Sequence, residues 1–359
     1  MTRATQALIN LAALRHNFEL VKQYAPNQKI MPVIKANAYG HGMVQVAQAL
    51  AQADAFAVAI IDEAVELREA GIRSPITVLH GVANLEELKL AEQLHLDLVV
   101  HQLNQIKLLE SITCTKPFTI WLKLDSGMHR IGITPAQFQA AYQRLHASPN
   151  VTQVRLMSHF ACADDPDNPM TDKQCQLFDQ LTGGIGATKS LANSAAIMAW
   201  PTTHKDWVRP GVMLFGASPL LNWRQHNSAL KPVMTLKSTI IAIQELNVGE
   251  TVGYGANWVT KRPSRIAVVA IGYGDGYPRA LPNGAPILLN GKVAGIVGRI
   301  SMDSFSIDIT DFPDTQVGAS VTLWGQGLAV ENIAELANTI PYELLCQISL
   351  RVPRAYVEI

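Results

Sequence analysis

The sequence predicts a (β/α)8 TIM-type barrel followed by a mostly β C-terminal domain. Between residue 31 and about residue 215, eight short apolar runs alternate with segments of helical spacing. Several of these runs are continuously apolar, which is typical of strands buried on both faces of a parallel sheet. After about residue 225 the runs become β-rich. Eight strands alternating with helices is the count of a barrel, although a doubly wound sheet has much of the same pattern.

Each barrel strand is predicted from one apolar run. The runs are MPVI (31–34), AFAVAI (55–60), ITVL (76–79), DLVV (97–100), FTIWLKL (118–124), VRLM (154–157), KSLA (189–192) and VMLF (212–215). Between them, IDEAVELREAGI and NLEELKLAEQL have the spacing of helices, and Gly71 is a stop signal for the first. The first twenty residues are predicted to form an amphipathic helix. We therefore assign residues 1–225 to the barrel domain.

The second domain is predicted from a change in the pattern of apolar residues after about residue 225. TLKSTIIAIQEL, RIAVVAIGYG, PILLNGKVAGIVGRI, SFSIDIT and SVTLWG are β-rich, and a long helical pattern returns only in LAVENIAELANTI. Asn290-Gly291 lies between two apolar runs and predicts a hairpin turn. Residues 226–359 therefore form the predicted β domain.

Composition excludes several classes of partner. Lys+Arg and Asp+Glu both number 29 in 359 residues, so net charge favours neither nucleic acid nor an anionic membrane. No apolar stretch approaches the roughly 20 residues that span a bilayer. No secretory signal is recognisable, and we expect a cytoplasmic protein. The four cysteines are scattered without a C-x-x-C pair, so neither a disulfide framework nor a metal site is expected.

Candidate functional residues follow from the rule that barrel enzymes use the C-terminal ends of their strands. The positions selected in this way are Lys35, Lys123, Arg130, His159, Asn193, Ser194 and Arg209. They include no carboxylate pair for glycoside hydrolysis, no zinc cluster, no G-x-S-x-G elbow and no Walker loop. What remains is a cationic site for an anionic ligand. A buried lysine such as Lys35 is available to attack a carbonyl, but a strand-end lysine is more commonly a snorkelling surface residue.

Nine motifs in order along the chain resemble those of the alanine racemases. They are VIKANAYGHG, WLKLDSGMHRIG, SHFACAD, ANSAA, VRPGVMLFG, VGYGA, IGYGDGYPR, GRISMD and RVPR. The resemblance implies a barrel followed by a β domain, a pyridoxal 5'-phosphate cofactor and a head-to-tail homodimer. The implied activity is the interconversion of L-alanine and D-alanine, which supplies D-alanine for cell-wall peptidoglycan.

The resemblance also implies the two bases that racemisation needs. Lys35 would bind the cofactor covalently and act as the base on one face of the substrate. Tyr254 in VGYGA would be the base on the opposite face, contributed by the partner subunit. Two bases on opposite faces allow one to remove the α-proton while the other delivers one.

Other residues of the motifs resemble cofactor contacts. Tyr39 and Ser194 would donate hydroxyl hydrogen bonds to the phosphate, together with the backbone amides of Gly211 and Val212. Arg209 would face the pyridine nitrogen of the cofactor. A permanently charged arginine donates a hydrogen bond there without giving up its proton.

The remaining site residues concern the substrate and the positioning of other groups. By resemblance, His159 would support the cofactor arginine, and Arg130 would contact the cofactor and the substrate carboxylate. Lys123 matches a lysine that is carbamylated in the family; without the resemblance, it is a strand lysine paired with an acid such as Asp125. Met302 would donate its backbone N–H to the substrate carboxylate.

Three positions concern access to the site and phosphate binding. Tyr273 and Asp275 match the region where the family narrows its substrate entrance. Leu350 stands where some relatives have a tyrosine near the phosphate, so we expect one phosphate hydroxyl to be missing.

If the β domain completes the barrel of another subunit, the dimer is isologous and a monomer is inactive.

Three alternatives compete with this assignment, and the residues argue against two of them. One is a broader-specificity racemase of the same fold that acts on alanine and serine. A second is a PLP-dependent decarboxylase, but these enzymes place an acidic residue against the pyridine nitrogen, where this chain has Arg209. A third is a cofactor-binding protein without catalysis, which would not need the second base Tyr254.

Overall fold

The chain begins with a strand and a helix that precede the barrel. The computed structural model describes residues 5–225 and 229–359. Strand β1 (Gln6–Asn10) leads directly into helix α1 (Leu11–Tyr24). The Asn10 side chain accepts a hydrogen bond from the Ala13 amide at 3.1 Å and so caps the helix. The predicted helix is confirmed from Leu11 onward, but residues 6–10 form a strand with alternating burial. Residues 1–4 of the predicted helix lie outside the described residues.

Eight parallel strands of the described chain form the barrel. They are β2 (Lys29–Ile30), β3 (Phe56–Val58), β4 (Ile76–Val78), β5 (Asp97–Val100), β6 (Phe118–Lys123), β7 (Val151–Met157), β8 (Lys189–Ser190) and β9 (Trp207–Val208). Each strand pairs with the next from β3 to β9, and β9 pairs with β2. A parallel bridge between Val33 and Ala57 closes the ring. The predicted barrel is therefore confirmed over the doubly wound alternative.

Two of the predicted strand positions are wrong. The first strand ends at Ile30, so only Val33 of the run 31–34 takes part in the sheet. The run 212–215 is a buried 3-10 turn that ends at Gly216, and the eighth strand lies upstream at residues 207–208. A strand of two residues carries no periodicity, whereas a buried turn is as apolar as a strand.

Helical segments connect the barrel strands. They are α2 (Lys35–Tyr39), α3 (Met43–Ala49), α4 (Ile61–Glu69), α5 (Leu85–Gln93), α6 (Leu103–Glu110), α7 (Pro135–Ala147), α8 (Met170–Thr182) and α9 (Ser194–Ala199). All but α2 are right-handed. Gly71 follows α4 with a φ of +84°, as its predicted role as a stop signal requires.

The C-terminal domain contains a second, mostly antiparallel sheet. The sheet combines β1 with β10 (Met234–Leu246), β13 (Ser264–Val269), β14 (Pro286–Leu289), β15 (Lys292–Val297), β16 (Phe305–Asp308), β17 (Ser320–Trp324) and β18 (Arg354–Val357). Strands β11 (Thr251–Val252) and β12 (Trp258–Val259) pair with each other in a separate two-stranded sheet. The long strand β10 pairs with β17 and β1 along one part and with β13 along another, which closes the larger sheet on itself. The predicted hairpin is confirmed, with Asn290 and Gly291 at φ values of +49° and +83° between β14 and β15.

Two helices belong to this domain. Helix α10 (Val330–Leu336) confirms the predicted late helical pattern. Helix α11 (Pro341–Gln347) follows it and was not predicted. Within the described ranges, no helix has the length and apolar content that crossing a bilayer demands.

The two domains share a core, and the first strand of the chain belongs to the C-terminal sheet. Strand β1 was assigned to the barrel domain, but it pairs antiparallel with β10 and parallel with β18, within the C-terminal sheet. One continuous buried cluster contains residues of both domains. The predicted boundary between residues 225 and 226 lies at the edge of residues 226–228, which are outside the described part of the chain.

Helix α1 offers a test of this shared core. Leu14 is fully buried, whereas Leu350 is 90% exposed. We expect Leu14→Ala to lower the free energy of unfolding by about 2–5 kcal/mol, because it removes transfer energy and leaves a cavity. The same truncation at Leu350 serves as the control and should change it by less than about 0.5 kcal/mol. Urea denaturation measures both, and equal effects would contradict the assigned packing.

Candidate active site

A cavity of about 470 Å³ opens at the C-terminal ends of the barrel strands, a volume suited to a small-molecule ligand. Ten of the residues selected from the sequence line it. They are Lys35, Tyr39, Lys123, Arg130, His159, Asn193, Ser194, Arg209, Gly211 and Val212. The structure thus brings together every predicted site residue of the barrel domain. Each comes from the segment that follows a barrel strand or, for Lys123, from the last residue of β6.

The turn that carries Lys35 and Tyr39 has an unusual backbone. Ala36, Asn37, Ala38 and Tyr39 all have a φ of +52°, which is a turn of left-handed helix. For residues other than glycine, this conformation costs about 1–2 kcal/mol each, because Cβ approaches the following carbonyl oxygen. Strain of this kind persists only where surrounding contacts enforce it, and such strain clusters at functional sites.

Contacts from both domains hold this turn. Glu63 of α4 accepts hydrogen bonds from the amides of Ala36 at 2.6 Å and Ala59 at 2.7 Å. From the C-terminal domain, Arg354 donates to the Gly40 carbonyl at 3.0 Å. A side chain on Gly40 would collide with the Leu345 carbonyl oxygen of α11. The turn is therefore clamped between the barrel and the β domain.

The cavity concentrates positive charge. Burial, together with the nearby Arg130, lowers the pKa of Lys35 below its usual value. Burial, Arg209, Arg130 and Lys35 lower the pKa of Lys123 to about 7. Taking amines out of water and placing them near other cations both disfavour the protonated form. The site therefore favours an anionic ligand and neutral amines.

Arg209 is anchored at the floor of the cavity. It is 4% exposed, and it donates hydrogen bonds to the Ser190 hydroxyl and to the Ser158 carbonyl, the latter at 2.6 Å. Its Nη2 also lies 3.5 Å from Nδ1 of His159. Burial lowers the pKa of Arg209 to about 10. Burial and the surrounding cations hold the pKa of His159 well below its ordinary value, so His159 is neutral and Nδ1 is free to accept from Arg209.

Hydroxyls and backbone amides converge at another part of the cavity. The Ser194 hydroxyl oxygen accepts from the Gly211 amide at 2.7 Å. A Cβ built on Gly211 would lie 2.6 Å from the Tyr39 hydroxyl, so only glycine leaves room there. Burial raises the pKa of Tyr39, which remains a neutral hydroxyl donor. This donor set of hydroxyls and amides suits a phosphate group.

The predicted site residues of the β domain do not line this cavity. Tyr254, Met302 and Tyr273 are 70%, 53% and 41% exposed on the surface of the same chain. Asp275 was predicted at the substrate entrance, but its side chain is fully buried and accepts a hydrogen bond from the Gly272 amide at 3.1 Å. The buried Asp275 carboxylate therefore supports the turn that carries Tyr273, and its place at a substrate entrance stays a prediction.

Several cavity residues were missed by sequence reasoning. His80 follows β4 and meets the same strand-end rule that selected the others. Tyr342 and Cys346 come from α11 of the C-terminal domain, and nothing in their local sequence indicates a site. The Tyr342 ring lies 6.1 Å from the Tyr39 ring, centroid to centroid. Leu350, in contrast, projects from the surface and is not among the lining residues.

Known protein families match both domains. Residues 9–219 match the family described as alanine racemase, N-terminal domain, and residues 233–356 match alanine racemase, C-terminal domain. The chain is 49% identical to an alanine racemase of Pseudomonas fluorescens and 48% identical to a catabolic alanine racemase of Pseudomonas putida. Each alignment covers 99% of both proteins.

Solved structures agree with these matches. The biosynthetic alanine racemase of Pseudomonas aeruginosa superposes with a TM-score of 0.96 at 44% identity, covering 99% of this chain and 100% of that one. Alanine racemase of Bartonella henselae, solved with covalently bound pyridoxal phosphate, has a TM-score of 0.90 at 30% identity, covering 99% of each chain. The chain therefore belongs to the alanine racemase family, whose members are amino-acid isomerases.

Proposed function

We propose that this chain interconverts L-alanine and D-alanine with pyridoxal 5'-phosphate and two bases, Lys35 and the Tyr254 of a second copy. The observation that carries the proposal is the cavity in which Lys35, four neighbouring polar or cationic groups and a phosphate-binding donor set converge. The names of the relatives support the substrate, and the covalently bound cofactor of the Bartonella henselae protein supports the cofactor.

The residues present fit the cofactor. Tyr39, Ser194 and the amides of Gly211 and Val212 would hold its phosphate, since together they offer donors without a second full charge. Arg209, fixed by its hydrogen bonds, would donate to the ring nitrogen. When bound, the cofactor withdraws electrons from the substrate α-carbon and so makes the α-proton acidic.

The two bases would work from opposite sides of the substrate. Nζ of Lys35 would hold the cofactor when no substrate is present and afterwards accept or return the α-proton as a neutral amine. Its lowered pKa favours that neutral form. The hydroxyl of Tyr254 would exchange the proton on the other face. Because Tyr254 is exposed and outside the cavity of its own chain, it would serve the cavity of a partner in a two-fold homodimer.

The substrate carboxylate would lie between two donors. Arg130 lines the cavity and would contact both the carboxylate and the cofactor, while the backbone N–H of Met302 from the second copy would bind the carboxylate. A carbamate on Lys123 would turn a cation into an anion and hold Arg130 in place. Tyr273 of the second copy would narrow the entrance, with Asp275 supporting its turn.

The cellular role we propose is the supply of D-alanine for peptidoglycan in the cytoplasm. Relatives with biosynthetic and catabolic names both resemble this chain, so breakdown of alanine is the competing role. The relatives of Pseudomonas fluorescens and Pseudomonas taetrolens are both named as alanine racemases, which does not favour the broader alanine and serine specificity.

The first prediction tests the activity and both bases. With L-alanine in deuterated water, we expect D-alanine to form and α-deuterium to enter both enantiomers, because each base exchanges its proton with solvent. Lys35→Ala and Tyr254→Phe should each reduce the rate by at least about 100-fold. Chiral chromatography and mass spectrometry provide the measurement. Retention of the α-hydrogen with no D-alanine would refute the proposed function.

The second prediction concerns the carbamate on Lys123. A neutral amine attacks carbon dioxide, the N–C bond forms and a proton leaves the nitrogen for water. Because the pKa of Lys123 is lowered to about 7, the neutral amine predominates above that pH. We expect carbon-13 bicarbonate to give a carbamate signal that grows as pH rises from about 6 to about 8.

Two variants decide whether that signal belongs to Lys123. The signal should disappear in Lys123→Ala and remain in Lys189→Ala, a lysine that donates to the Thr182 carbonyl outside the cavity. A signal that survives the first substitution, or that is absent at pH 8 in the unchanged protein, would contradict the assignment.

The third prediction concerns the phosphate hydroxyls. We expect Tyr342→Phe to weaken cofactor binding about tenfold, since one hydrogen bond to a charged group is lost. Tyr142→Phe on α7, whose ring stacks on His146, is the matched control and should bind normally. Leu350→Tyr should leave binding unchanged, because Leu350 is 90% exposed and does not line the cavity, so the expectation of a missing phosphate hydroxyl at this position is wrong. Equilibrium dialysis of the apoprotein measures all three affinities, and an unchanged value for Tyr342→Phe or tighter binding by Leu350→Tyr would contradict this assignment.

A further inference from the structure

Two exposed loops of the β domain behave as one unit. The first contains Tyr273 and the second contains Met302. The Tyr273 amide donates to the Ser301 carbonyl at 3.0 Å, and the Gly274 amide donates to the Met302 carbonyl at 2.8 Å. A side chain on Gly272 would collide with the Ser301 carbonyl oxygen. A shift of either loop therefore displaces the other.

Arg351 lies across both loops. Its Nη2 donates to Oδ1 of Asp303 at 2.6 Å, and its Nε lies 3.5 Å from Oδ1 of the fully buried Asp275. A Cβ built on Gly274 would lie 2.6 Å from Nη1 of Arg351. The guanidinium thus fills the space between the loops and contacts a carboxylate on each. A planar fork with several donors suits this bridging, whereas a lysine amine would reach only one point.

Arg354, three residues later, acts on the other side of the same segment. It donates to the Gly40 carbonyl of the left-handed turn at 3.0 Å, and also to the carbonyls of Ser349 at 2.7 Å and Val352 at 2.8 Å. The RVPR segment (351–354) therefore contacts the turn that carries the chain's own Lys35 through one arginine. Through the other arginine it contacts loops that lie outside the chain's own cavity.

We propose that the two arginines are positioning residues for two different active sites. Arg354 supports the Lys35 turn of its own chain, and Arg351 supports the Tyr273 and Met302 loops that complete the site of the partner subunit. This inference rests on the proposed shared-site homodimer. One four-residue segment would thus support the active site of its own chain (in cis) and that of the partner subunit (in trans).

Kinetics separate the two roles. Arg351→Ala should raise KM for alanine about tenfold with a smaller change in kcat, because the displaced loop carries the Met302 amide that contacts substrate. Arg351→Lys retains the charge and should recover part of this loss. Arg354→Ala should mainly lower kcat, because the Lys35 turn loses a clamp. Thermal unfolding identifies any variant that fails to fold, and the lysine variant then replaces the alanine variant.

Hybrid dimers test the assignment directly. Two chains with different affinity tags are co-expressed, one with Lys35→Ala and the other with an arginine substitution, and the doubly tagged dimer is purified. With Arg351→Ala, one site combines an intact Lys35 with intact partner loops. We expect native KM and about half the activity of the unchanged dimer. With Arg354→Ala, the intact Lys35 lies on the damaged chain, and native kinetics should not return.

A third hybrid distinguishes failure of this inference from failure of the proposed function. Lys35→Ala paired with Tyr254→Phe should also recover about half the activity if sites are shared between chains. If this hybrid is inactive, the shared site and the trans role of Arg351 are both overturned. If it is active while the Arg351→Ala hybrid lacks native KM, only the trans role is overturned.

Discussion

The left-handed turn at residues 36–39 is the constraint on which the site depends. It places Lys35 and Tyr39 in one cavity, and its backbone is unfavourable by itself. Glu63 from the barrel and Arg354 from the β domain hold it from two sides. The second domain therefore supports the cavity of its own chain through contacts within that chain. A common core, together with strand β1 joining the C-terminal sheet ahead of the barrel, makes this contact part of the fold.

The positive charge in the cavity determines the protonation of the lysines that line it. Four cationic side chains converge, and burial together with mutual repulsion lowers the pKa of Lys35 and Lys123. Arg209 keeps its charge through hydrogen bonds to neutral partners, including the neutral His159. An anionic ligand relieves the repulsion among these cations, while a neutral lysine amine remains available as a base. The same physical cause thus serves ligand binding and proton transfer.

The β domain has one side that contacts the barrel of its own chain and another side whose loops are exposed on the surface. Helix α11 and Arg354 face the barrel of their own chain, where Tyr342 and Cys346 reach the cavity. The loops with Tyr254 and Met302 instead present polar and apolar side chains to the surface. A two-fold pairing of copies would give every such loop a cavity to complete, because an isologous interface repeats each contact.

The sequence by itself determined the barrel, the β domain and ten residues that line the cavity. The strand-end rule selected seven of these residues, and the resemblance to a family supplied Tyr39, Gly211 and Val212. Short strands such as residues 207–208 were not predicted, because two residues are too few to have a periodic pattern. Only the tertiary structure decided that Asp275 is buried, that Tyr342 lines the cavity and that Tyr254 does not. Burial and proximity between segments far apart in sequence arise from packing, which no local pattern records.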